Sequence, residues 1–449
     1  MSNIFYSKFS EVSGDRLDPT YYANLGLYKG LDRLKTIVKV KGGKRIPKGK
    51  TFSSETTKYK YLRVEDIDAF GNINISKLKN ISKEIYEELK RYKLNENEIV
   101  ISNAGTIGKV TMLENFDEKI ILTENCVKLV IHDNQILPKF LETMVRSNFI
   151  QTQFQNNYIK TTIPKLSVER ISNTFFPKIP SFEIQNKIVS KMEQVHQQKQ
   201  QKEQEAQKKL ESIDSYLLNA LGIELPRERE ESLEDRVFFR KFSDVSGDRI
   251  DGKAHHSKRT KTINGVKLSK YPIKSLKNLS SFSKEITLTN SKKLPYIGLE
   301  NIESNTGVYY PSTEKESFSS AVKFKKGQIL FPKLRPYLNK VYFAEFDGLC
   351  STEFHILDSD IVNNQYLDIF LRSTIIVNQT KYLMSGNTLP RLQTEDIKNL
   401  LIVVPPSEIQ DKMVRHISTL KDEAQALKKE ATEIYNSAKL EVEKMILDV

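Results

Sequence analysis

Cysteine and long apolar runs are scarce in this chain, and their scarcity excludes several classes of protein. The 449 residues include two cysteines, Cys126 and Cys350, which lie far apart without CxxC or Cys/His spacing. The sequence therefore predicts neither a disulfide framework nor a zinc site, and it favours a reducing, cytoplasmic location. No apolar run approaches the roughly 18 residues that a membrane span needs, and the polar start MSNIFYSKFS does not resemble a signal peptide.

Catalytic motifs are missing as well. No GxGxxG occurs, and Gly43–Thr51 does not fit a P-loop because five residues, rather than four, separate Gly43 from Gly49. The Pro-Pro pair, in VPPS, is not part of the Asn/Asp/Ser-Pro-Pro-aromatic tetrapeptide of an amino-methyltransferase. Asp117-Glu118-Lys119 has no patterned partner acid for a nuclease, and the six histidines are scattered. We therefore expect a binding protein without catalytic residues or metal ligands.

Positive charge is in excess, and it is concentrated in two blocks. The net charge is +13, from 70 Lys and Arg against 57 Asp and Glu. Residues 1–180 hold 29 basic and 20 acidic residues, and residues 237–405 hold 25 and 16, so each block carries +9 and the remaining segments together carry −5. Equal charge in both blocks predicts a polyanionic partner of the same kind for each.

An internal repeat relates the two blocks. Lys8–Asp18 (KFSEVSGDRLD) returns at Lys241–Asp251 (KFSDVSGDRID), with nine of the eleven positions identical. Further matches follow in the same order: YLRVEDI at Tyr61 with YIGLENI at Tyr296, Thr123-Glu124 with Thr352-Glu353, and TTIPKLSVERI around Pro164 with NTLPRLQTEDI around Pro390. The loops between these anchors do not match. The pattern indicates one scaffold present twice with two different sets of loops.

Local patterns predict a mixed scaffold within the first block. Strands are expected at Leu34–Val40, Tyr61–Ile67, Glu98–Ser102, Lys109–Met112 and Val127–Ile131. Helices are expected at Ile81–Tyr92 and Pro138–Gln155.

A long helical period follows each block. Ile188, Met192, Val195, Ala206, Leu210, Ile213, Leu217 and Ala220 recur every three or four residues, with Lys199 and Lys202 between the two groups, and a similar stripe runs from Ile409 to Met445. These are coiled-coil seams with stutters. Helices of about 40 residues would be about 60 Å long. We expect them to pair antiparallel with one basic domain at each end; the alternative is two independent helices that each bind a partner protein.

The motifs resemble those of the DNA-specificity (S) subunit of type I restriction–modification systems. The resemblance rests on GGKRIPKG before YLRVEDI, on the SNAGTIGKV turn, and on the helix starts Glu183-Ile-Gln185 and Glu408-Ile-Gln410. It implies an α+β fold with two tandem target-recognition domains of mixed sheet and helices, separated by two long helices that pair as an antiparallel coiled coil in a pseudo-twofold repeat. The expected boundaries are 1–180 for target-recognition domain 1, 181–222 for helical spacer 1, 223–236 for a linker, 237–405 for target-recognition domain 2 and 406–449 for helical spacer 2.

The resemblance also implies a function. Each domain would read one half of a split, asymmetric duplex DNA site, and the chain would have no catalytic activity and no cofactor of its own. Its implied partners are methyltransferase (M) subunits, expected to be two, which use S-adenosylmethionine, and restriction (R) subunits, which use ATP and magnesium. Two rivals stay open: a type IIB-like system whose M polypeptide also carries the nuclease, and a coiled-coil scaffold whose basic blocks bind RNA or acidic proteins.

Basic and polar loop residues are the predicted DNA contacts. In the first domain the predicted backbone contacts are Lys41, Lys44, Arg45, Lys48 and Lys50, and the residues expected near the bases are Asn103, Thr106, Lys160 and Lys165. Their counterparts in the second domain are Lys333, Arg335, Asn339, Lys340, Asn387 and Arg391. Phosphate contacts set affinity and base-edge contacts set specificity. The sequence does not disclose the recognised bases, because the loops that would read them are the segments that differ between the copies.

Overall fold

The structure is a computed structural model that describes residues 28, 30–68, 70–158, 164–225, 237, 239, 241, 251–288, 294–311, 320–386 and 388–447. By contacts the chain divides into two units, the first formed by Met1–Lys202 with Lys429–Val449 and the second by Glu203–Lys428. The repeat Lys8–Asp18 lies outside the described residues. So does most of its second copy, of which Lys241 and Asp251 are described.

The first unit contains nine strands and four short helices among its described residues, followed by the first long helix. The strands are β1 (Asp32–Arg33), β2 (Val38–Gly42), β3 (Tyr59–Leu62), β4 (Lys79–Asn80), β5 (Ile99–Ser102), β6 (Val110–Met112), β7 (Lys119–Leu122), β8 (Cys126–Ile131) and β9 (Phe175–Phe176). The helices are α1 (Lys83–Leu89), α2 (Pro138–Arg146), α3 (Asn148–Asn157), α4 (Val168–Ser172) and the long α5 (Phe182–Leu221).

The second unit contains ten strands and four short helices among its described residues, followed by the second long helix. Its described strands are β10 (Ile273–Ser275), β11 (Ser281–Ser283), β12 (Ile286–Thr287), β13 (Tyr296–Ile297), β14 (Ala321–Phe324), β15 (Ile329–Pro332), β16 (Tyr342–Phe343), β17 (Gly348–Ser351), β18 (Phe354–Asp358) and β19 (Leu401–Val403). The helices are α6 (Ser257–Lys267), α7 (Asn364–Arg372), α8 (Thr374–Thr380), α9 (Thr394–Lys398) and the long α10 (Ser407–Leu447).

The larger antiparallel sheet has the same topology in both units, and the second sheets share their parallel pair of strands. An antiparallel sheet has the strand order β2-β8-β5-β6 in the first unit and β11-β18-β15-β16 in the second. A second sheet has the order β4-β3-β7 in the first unit and β12-β14-β17-β13 in the second, and in each unit it contains one parallel pair, β3 with β7 and β13 with β17. Where β14 pairs with β17, the first unit has a single bridge between Lys93 and Ile121. The same frame therefore carries different peripheral segments.

The long helices run antiparallel within each unit. In the first unit Lys191 pairs with Glu441 and Lys202 Nζ lies 2.8 Å from Glu430 Oε1, so rising numbers on α5 meet falling numbers on α10. In the second unit Lys209 Nζ lies 2.8 Å from Glu423 Oε2. Gly222, with φ +68°, ends α5 in the left-handed conformation that glycine adopts without strain.

Apolar positions of the long helices complete the core of each unit. In the first unit, Ile188 and Met192 of α5 and Val442 of α10 belong to the cluster that also contains Phe140 and Phe154. In the second unit the corresponding core contains the buried residues Leu217, Leu221, Met413 and Ile417 together with Tyr366. Each helix therefore covers its apolar stripe against a domain as well as against the other helix.

The predicted gap in the first seam is filled by a buried lysine. Lys199 is 5% exposed, and its ammonium lies 3.2 Å from the centroid of the Phe70 ring. A cation over an aromatic face is stabilised by the ring quadrupole, most strongly where water is excluded. The interruption of the stripe is thus a specific contact with the first domain.

Four predicted elements differ from the structure. The helix expected at Ile81–Tyr92 is the shorter α1 followed by a 3-10 turn at Lys90–Tyr92. The strand expected at Leu34–Val40 begins at Val38, after a 3-10 turn at Leu34–Thr36. The strand expected at Tyr61–Ile67 ends at Leu62, because Asp66 accepts hydrogen bonds from the backbone and guanidinium of Arg63 and closes the 3-10 turn Val64–Asp66.

The single helix expected at Pro138–Gln155 was also wrong. It is two helices, α2 and α3, divided at Ser147, whose backbone is extended (φ −63°, ψ 154°) and whose Oγ accepts a hydrogen bond from Ile150 N. Ser373 divides α7 from α8 with a similar backbone, φ −69° and ψ 158°, but its Oγ donates to Phe370 O at 2.6 Å and does not cap the following helix. A serine at this position ends one helix and begins the next, because its side chain competes for backbone hydrogen bonds.

No described helix is long and apolar enough to cross a membrane.

A buried glutamine fixes the start of each long helix. Gln185 Oε1 accepts from Leu137 N at 2.8 Å, and its amide nitrogen donates to Gln135 O at 2.7 Å and Pro180 O at 2.9 Å. Gln410 repeats this arrangement with Asn363 N at 2.9 Å and Pro405 O at 2.8 Å. The Glu-Ile-Gln motif therefore ties each helix start to the segment before α2 or α7.

We expect Gln185→Leu to lower the free energy of unfolding by about 2–4 kcal/mol, because it leaves buried backbone groups without partners. Urea unfolding of the full chain measures this loss. Gln207→Leu on the same helix is the control: Gln207 is exposed and donates only to Glu211, so its loss should change stability by less than about 0.5 kcal/mol. Equal effects of the two substitutions would contradict the anchoring role.

Candidate nucleic-acid interface

The loops that follow β5 and β15 are held by the same backbone contacts. Ala104 forms a bridge with Lys165, and Gly105 N donates to Pro164 O at 3.0 Å. In the second unit Leu334 forms a bridge with Arg391, and Arg335 N donates to Pro390 O at 2.8 Å. Gly105 and Arg335 therefore occupy the same place on the frame.

These equivalent positions show a backbone conformation that suits only one of the two residues. Gly105 has φ +73°, which glycine adopts freely, whereas Arg335 has φ +47° in the left-handed region. Pro336 follows, and a residue before proline favours extended backbone. A side chain retained at such a cost marks a functional candidate. Arg335 is exposed, as is its neighbour Tyr337.

Basic side chains anchor the segments that follow β3 and β13. Lys109 Nζ donates to Val64 O at 3.2 Å, and Lys340 Nζ donates to Leu299 O at 2.8 Å, at the equivalent turn of the second unit. Arg146 donates to Phe70 O at 2.6 Å, and Arg372 donates to Thr306 O. Lys340 thus anchors a turn through its ammonium, while its role as a DNA contact stays a prediction.

A cleft of about 890 Å³ lies beside the first of these loops. It is lined by Arg45, Ile46, Lys50, Thr51, Phe52, Tyr61, Arg63, Val64, Glu65, Ala104, Gly105, Thr106, Lys109, Thr123, Glu124 and Asn125. The cleft thus brings together three predicted contacts, Arg45, Lys50 and Thr106. Lys50 forms ion pairs with Glu84 at 2.9 Å and Glu88 at 2.7 Å, so its charge is largely compensated.

Each unit holds one arginine against a carboxylate at the turn that follows its parallel pair of strands. Arg45 Nε lies 2.6 Å from Glu124 Oε1. Arg391 Nη2 lies 2.8 Å from Glu353 Oε1, and its Nε lies 3.1 Å from Glu353 Oε2. Burial raises the pKa of the Glu124 carboxyl, but hydrogen bonds led by that from Arg45 bring the pKa below its ordinary value. The hydrogen bond from Arg391 lowers the pKa of Glu353, so both carboxylates are ionised at neutral pH.

Strand register corrects one match between the copies. Leu62 pairs with Leu122 in the first unit, and Ile297 pairs with Cys350 in the second. Counting onward from these pairs aligns Glu124 with Thr352 and Asn125 with Glu353. The sequence match of Thr123-Glu124 with Thr352-Glu353 is therefore out of register by one residue, because short identities do not fix register. The two carboxylates occupy adjacent positions of the same turn.

Cations crowd around the equivalent loop of the second unit. Burial, followed by the charges of Lys333, Lys284 and Lys398, lowers the pKa of His355 to about 4. Burial also lowers the pKa of Lys333, with Lys284 and Arg391 contributing in the same direction and Glu353 opposing them. Mutual repulsion between cations creates a positive potential that an anionic ligand would relieve.

The other predicted contacts divide into exposed and buried residues. Lys41, Lys44, Lys48 and Lys165 are exposed and form no ion pair among the described residues. Asn103 and Asn339 are buried: Asn103 Nδ2 donates to Leu166 O at 3.1 Å, and Asn339 Nδ2 donates to Arg372 O at 2.7 Å. The two amides position their loops, and their place near the bases stays a prediction. Lys160 and Asn387 lie outside the described residues.

Residue composition alone missed several members of the site. Phe52 is 40% exposed at the cleft, and Tyr337 is 41% exposed beside Arg335. The sequence alone does not distinguish either residue from an aromatic of the core. Glu124 and Glu353 were noted only as matches between the copies. An acidic residue retained near a turn of a basic block was the signal that could have identified them.

Comparison with known proteins places this geometry in a family. The family model for the type I restriction modification DNA specificity domain matches residues 31–212 and 271–435. These two regions cover most of the chain, and the chain belongs to that family. The predicted recognition is confirmed, together with the α+β class, the two repeated domains and the paired long helices. Membership of this family also agrees with the predicted class of DNA-specificity protein.

Individual relatives share limited identity. The chain is 29% identical over 138 residues to the type I restriction enzyme EcoDI specificity subunit of Escherichia coli, and this match covers 30% of the chain and 31% of the relative's length. It is 20% identical over 387 residues to the MjaIX specificity subunit of Methanocaldococcus jannaschii, covering 84% of each. A crystal structure of the type I S subunit from M. genitalium covers 94% of the chain and 97% of that protein, with 14% identity and a TM-score of 0.41.

We expect Arg335→Gly to raise the free energy of unfolding by about 0.5–1 kcal/mol. Glycine accepts the positive φ that arginine adopts at a cost, and this gain outweighs the greater freedom of glycine in the unfolded chain. Denaturant unfolding of the full chain measures the change. Arg335→Ala keeps the β-carbon at the same φ and should give no comparable gain. A glycine variant less stable than the alanine variant would contradict the assigned strain.

We expect the stability of the second unit to fall as the pH drops from about 6.5 towards 5. His355 has a pKa of about 4 when folded and its ordinary value of 6.5 when unfolded, so the unfolded chain binds the proton first. Urea unfolding at pH 7.5 and pH 5 should show a smaller difference for His355→Gln than for the unchanged chain. His196, whose pKa burial also lowers, stays constant in this comparison. An unchanged pH dependence in the variant would contradict a half-buried, neutral imidazole.

Proposed function

We propose that the chain binds duplex DNA at a bipartite, asymmetric site and confers this specificity on the other subunits of a type I restriction–modification complex. Each unit would bind one half-site through the loops that follow β5 or β15. The observation that carries the proposal is the shared loop frame with different side chains, Gly105 and Thr106 in one unit and Arg335 and Tyr337 in the other. One frame with two sets of reading residues suits two unlike half-sites.

The proposed division of labour leaves chemistry to the partners. Methyltransferase (M) subunits, two in number, would bring S-adenosylmethionine, and restriction (R) subunits would bring ATP and magnesium. This chain would supply position and sequence choice through side chains and backbone alone. The described residues contain no cluster of three or more His, Cys, Asp or Glu residues that could hold a metal ion.

Exposed lysines would supply the affinity for the DNA backbone. A lysine that neutralises one phosphate releases condensed counterions. Its removal therefore weakens binding to all sequences, and it reduces the slope of the logarithm of the binding constant against the logarithm of salt concentration by about one. We expect this result for Lys44→Gln and Lys48→Gln in a binding assay with the full chain. Lys208→Gln, at an exposed position of α5, is the control and should leave the slope unchanged.

Methylation provides the functional test. Co-expression of the chain with the M subunit encoded beside it should produce adenine methylation at a split motif, read by sequencing methylated bases across the host genome. Arg335→Gly should lower methylation of that motif although the variant is at least as stable as the unchanged chain. Absence of a split methylated motif would contradict the proposal, and binding to RNA in preference to duplex DNA would favour the scaffold alternative.

A further inference from the structure

The arginine–carboxylate pair at the turn between β7 and β8 has a counterpart between β17 and β18. Arg45 is held by Glu124 in the first unit and Arg391 by Glu353 in the second. We propose that Arg45 and Arg391 are base-reading residues, one in each unit, which act beside the loops that follow β5 and β15, and that each contacts a guanine in the major groove of its half-site. The inference rests on the proposed function and identifies what the site reads.

Common descent from one repeated unit does not account for the two pairs. Arg45 comes from the loop after β2, whereas Arg391 occupies the position of Lys165 in the first unit. The carboxylates are displaced by one residue along the turn, since Glu353 aligns with Asn125 rather than with Glu124. The arginine and the carboxylate therefore come from different scaffold positions in the two units. In both units a guanidinium is nevertheless held at the same turn.

Stability does not account for the pairs either. The side chain of Arg45 is 80% exposed and that of Arg391 is 42% exposed. Ion pairs with this exposure contribute little to folding, because water screens them and two long side chains lose freedom. Their recurrence at the loops that carry the predicted DNA contacts points to a role in binding.

The charge balance favours a base over a phosphate as the ligand of these arginines. A carboxylate beside the guanidinium cancels most of its positive charge and repels the phosphate backbone. It leaves the direction of the N–H donors intact, and a group that orients another improves its geometry for recognition. The exposed lysines Lys44 and Lys48 carry no such carboxylate partner among the described residues, and they suit phosphates better.

The geometry leaves the outer edge of each guanidinium available. Glu124 takes the Nε of Arg45, so both terminal nitrogens of Arg45 remain. Glu353 takes the Nε and one hydrogen of Nη2 of Arg391, and Nη1 makes only a long contact, 3.4 Å, with Leu389 O. Two parallel donors match the O6 and N7 acceptors of guanine, a pattern that no other base presents in the major groove. Each half-site should therefore contain at least one G·C pair.

The experiment that tests the proposal is a selection of the DNA sequences that the full chain binds preferentially. A library of long duplexes with a randomised segment is bound, recovered and sequenced, for the unchanged chain and for Arg45→Lys, Arg391→Lys, Glu124→Gln and Lys48→Gln. Lysine keeps the charge but replaces the two parallel donors of a planar guanidinium with a single nitrogen on a flexible chain. We expect Arg45→Lys to reduce the preference for one G·C pair in one half-site by roughly 5- to 100-fold, with the other half-site unchanged. Arg391→Lys should do the same in the other half-site.

The remaining variants distinguish an arginine that contacts a base from one that contacts a phosphate. Glu124→Gln should relax the preference at the same position as Arg45→Lys while total binding at low salt does not fall, since a negative charge has been removed. Lys48→Gln should weaken all sequences equally and leave every base preference intact. A reduction of total binding in Arg45→Lys with unchanged base preferences would overturn the proposal, as would a selected half-site without a G·C pair. If the unchanged chain selects no split motif, the proposed function itself fails, whatever the variants show.

Discussion

The structure depends on covering the apolar stripes of two helices that are about 40 residues long. Such a stripe exposed to water would drive association, and each stripe here is covered twice over, by the antiparallel partner helix and by a domain core. In the first unit Met192 and Val442 join the cluster around Phe140, and in the second Leu217 and Met413 join the cluster around Tyr366. Because Gln185 and Gln410 fix the helix starts, each domain is held firmly relative to the helical segments of its own unit.

Features with a strong periodic or repeated signal were predictable from the sequence. The long helices, their antiparallel pairing and the two copies of the sheet frame follow from apolar spacing and from matched strands. Local competition between side chain and backbone was harder to foresee. The serine at position 147 splits a continuous amphipathic pattern into two helices, and Asp66 turns an apparent strand into a 3-10 turn by capturing Arg63.

The sequence predicted which residues form the candidate site better than it predicted how they contact one another. The loop cations Arg45, Lys48 and Arg335 were identified because basic residues in unmatched loops are natural DNA contacts. Sequence composition could not separate them by role, because role depends on partners distant along the chain: Glu124 is 79 residues from Arg45, and Glu353 is 38 from Arg391. Asn103 and Asn339 have polar side chains suited to base contacts, yet backbone carbonyls take their amides, which only the folded loop reveals.

The displaced carboxylates have a consequence for how such a protein changes its preferred sequence. The carboxylate can orient the arginine from either of two adjacent positions, and the arginine can come from either of two segments. This arrangement tolerates insertion, deletion and replacement of whole loops. A new loop needs only to bring a guanidinium to a turn whose path the strands already define. Diversification can therefore proceed by exchanging short surface segments, while the long helices and the strands that define the turn keep their positions.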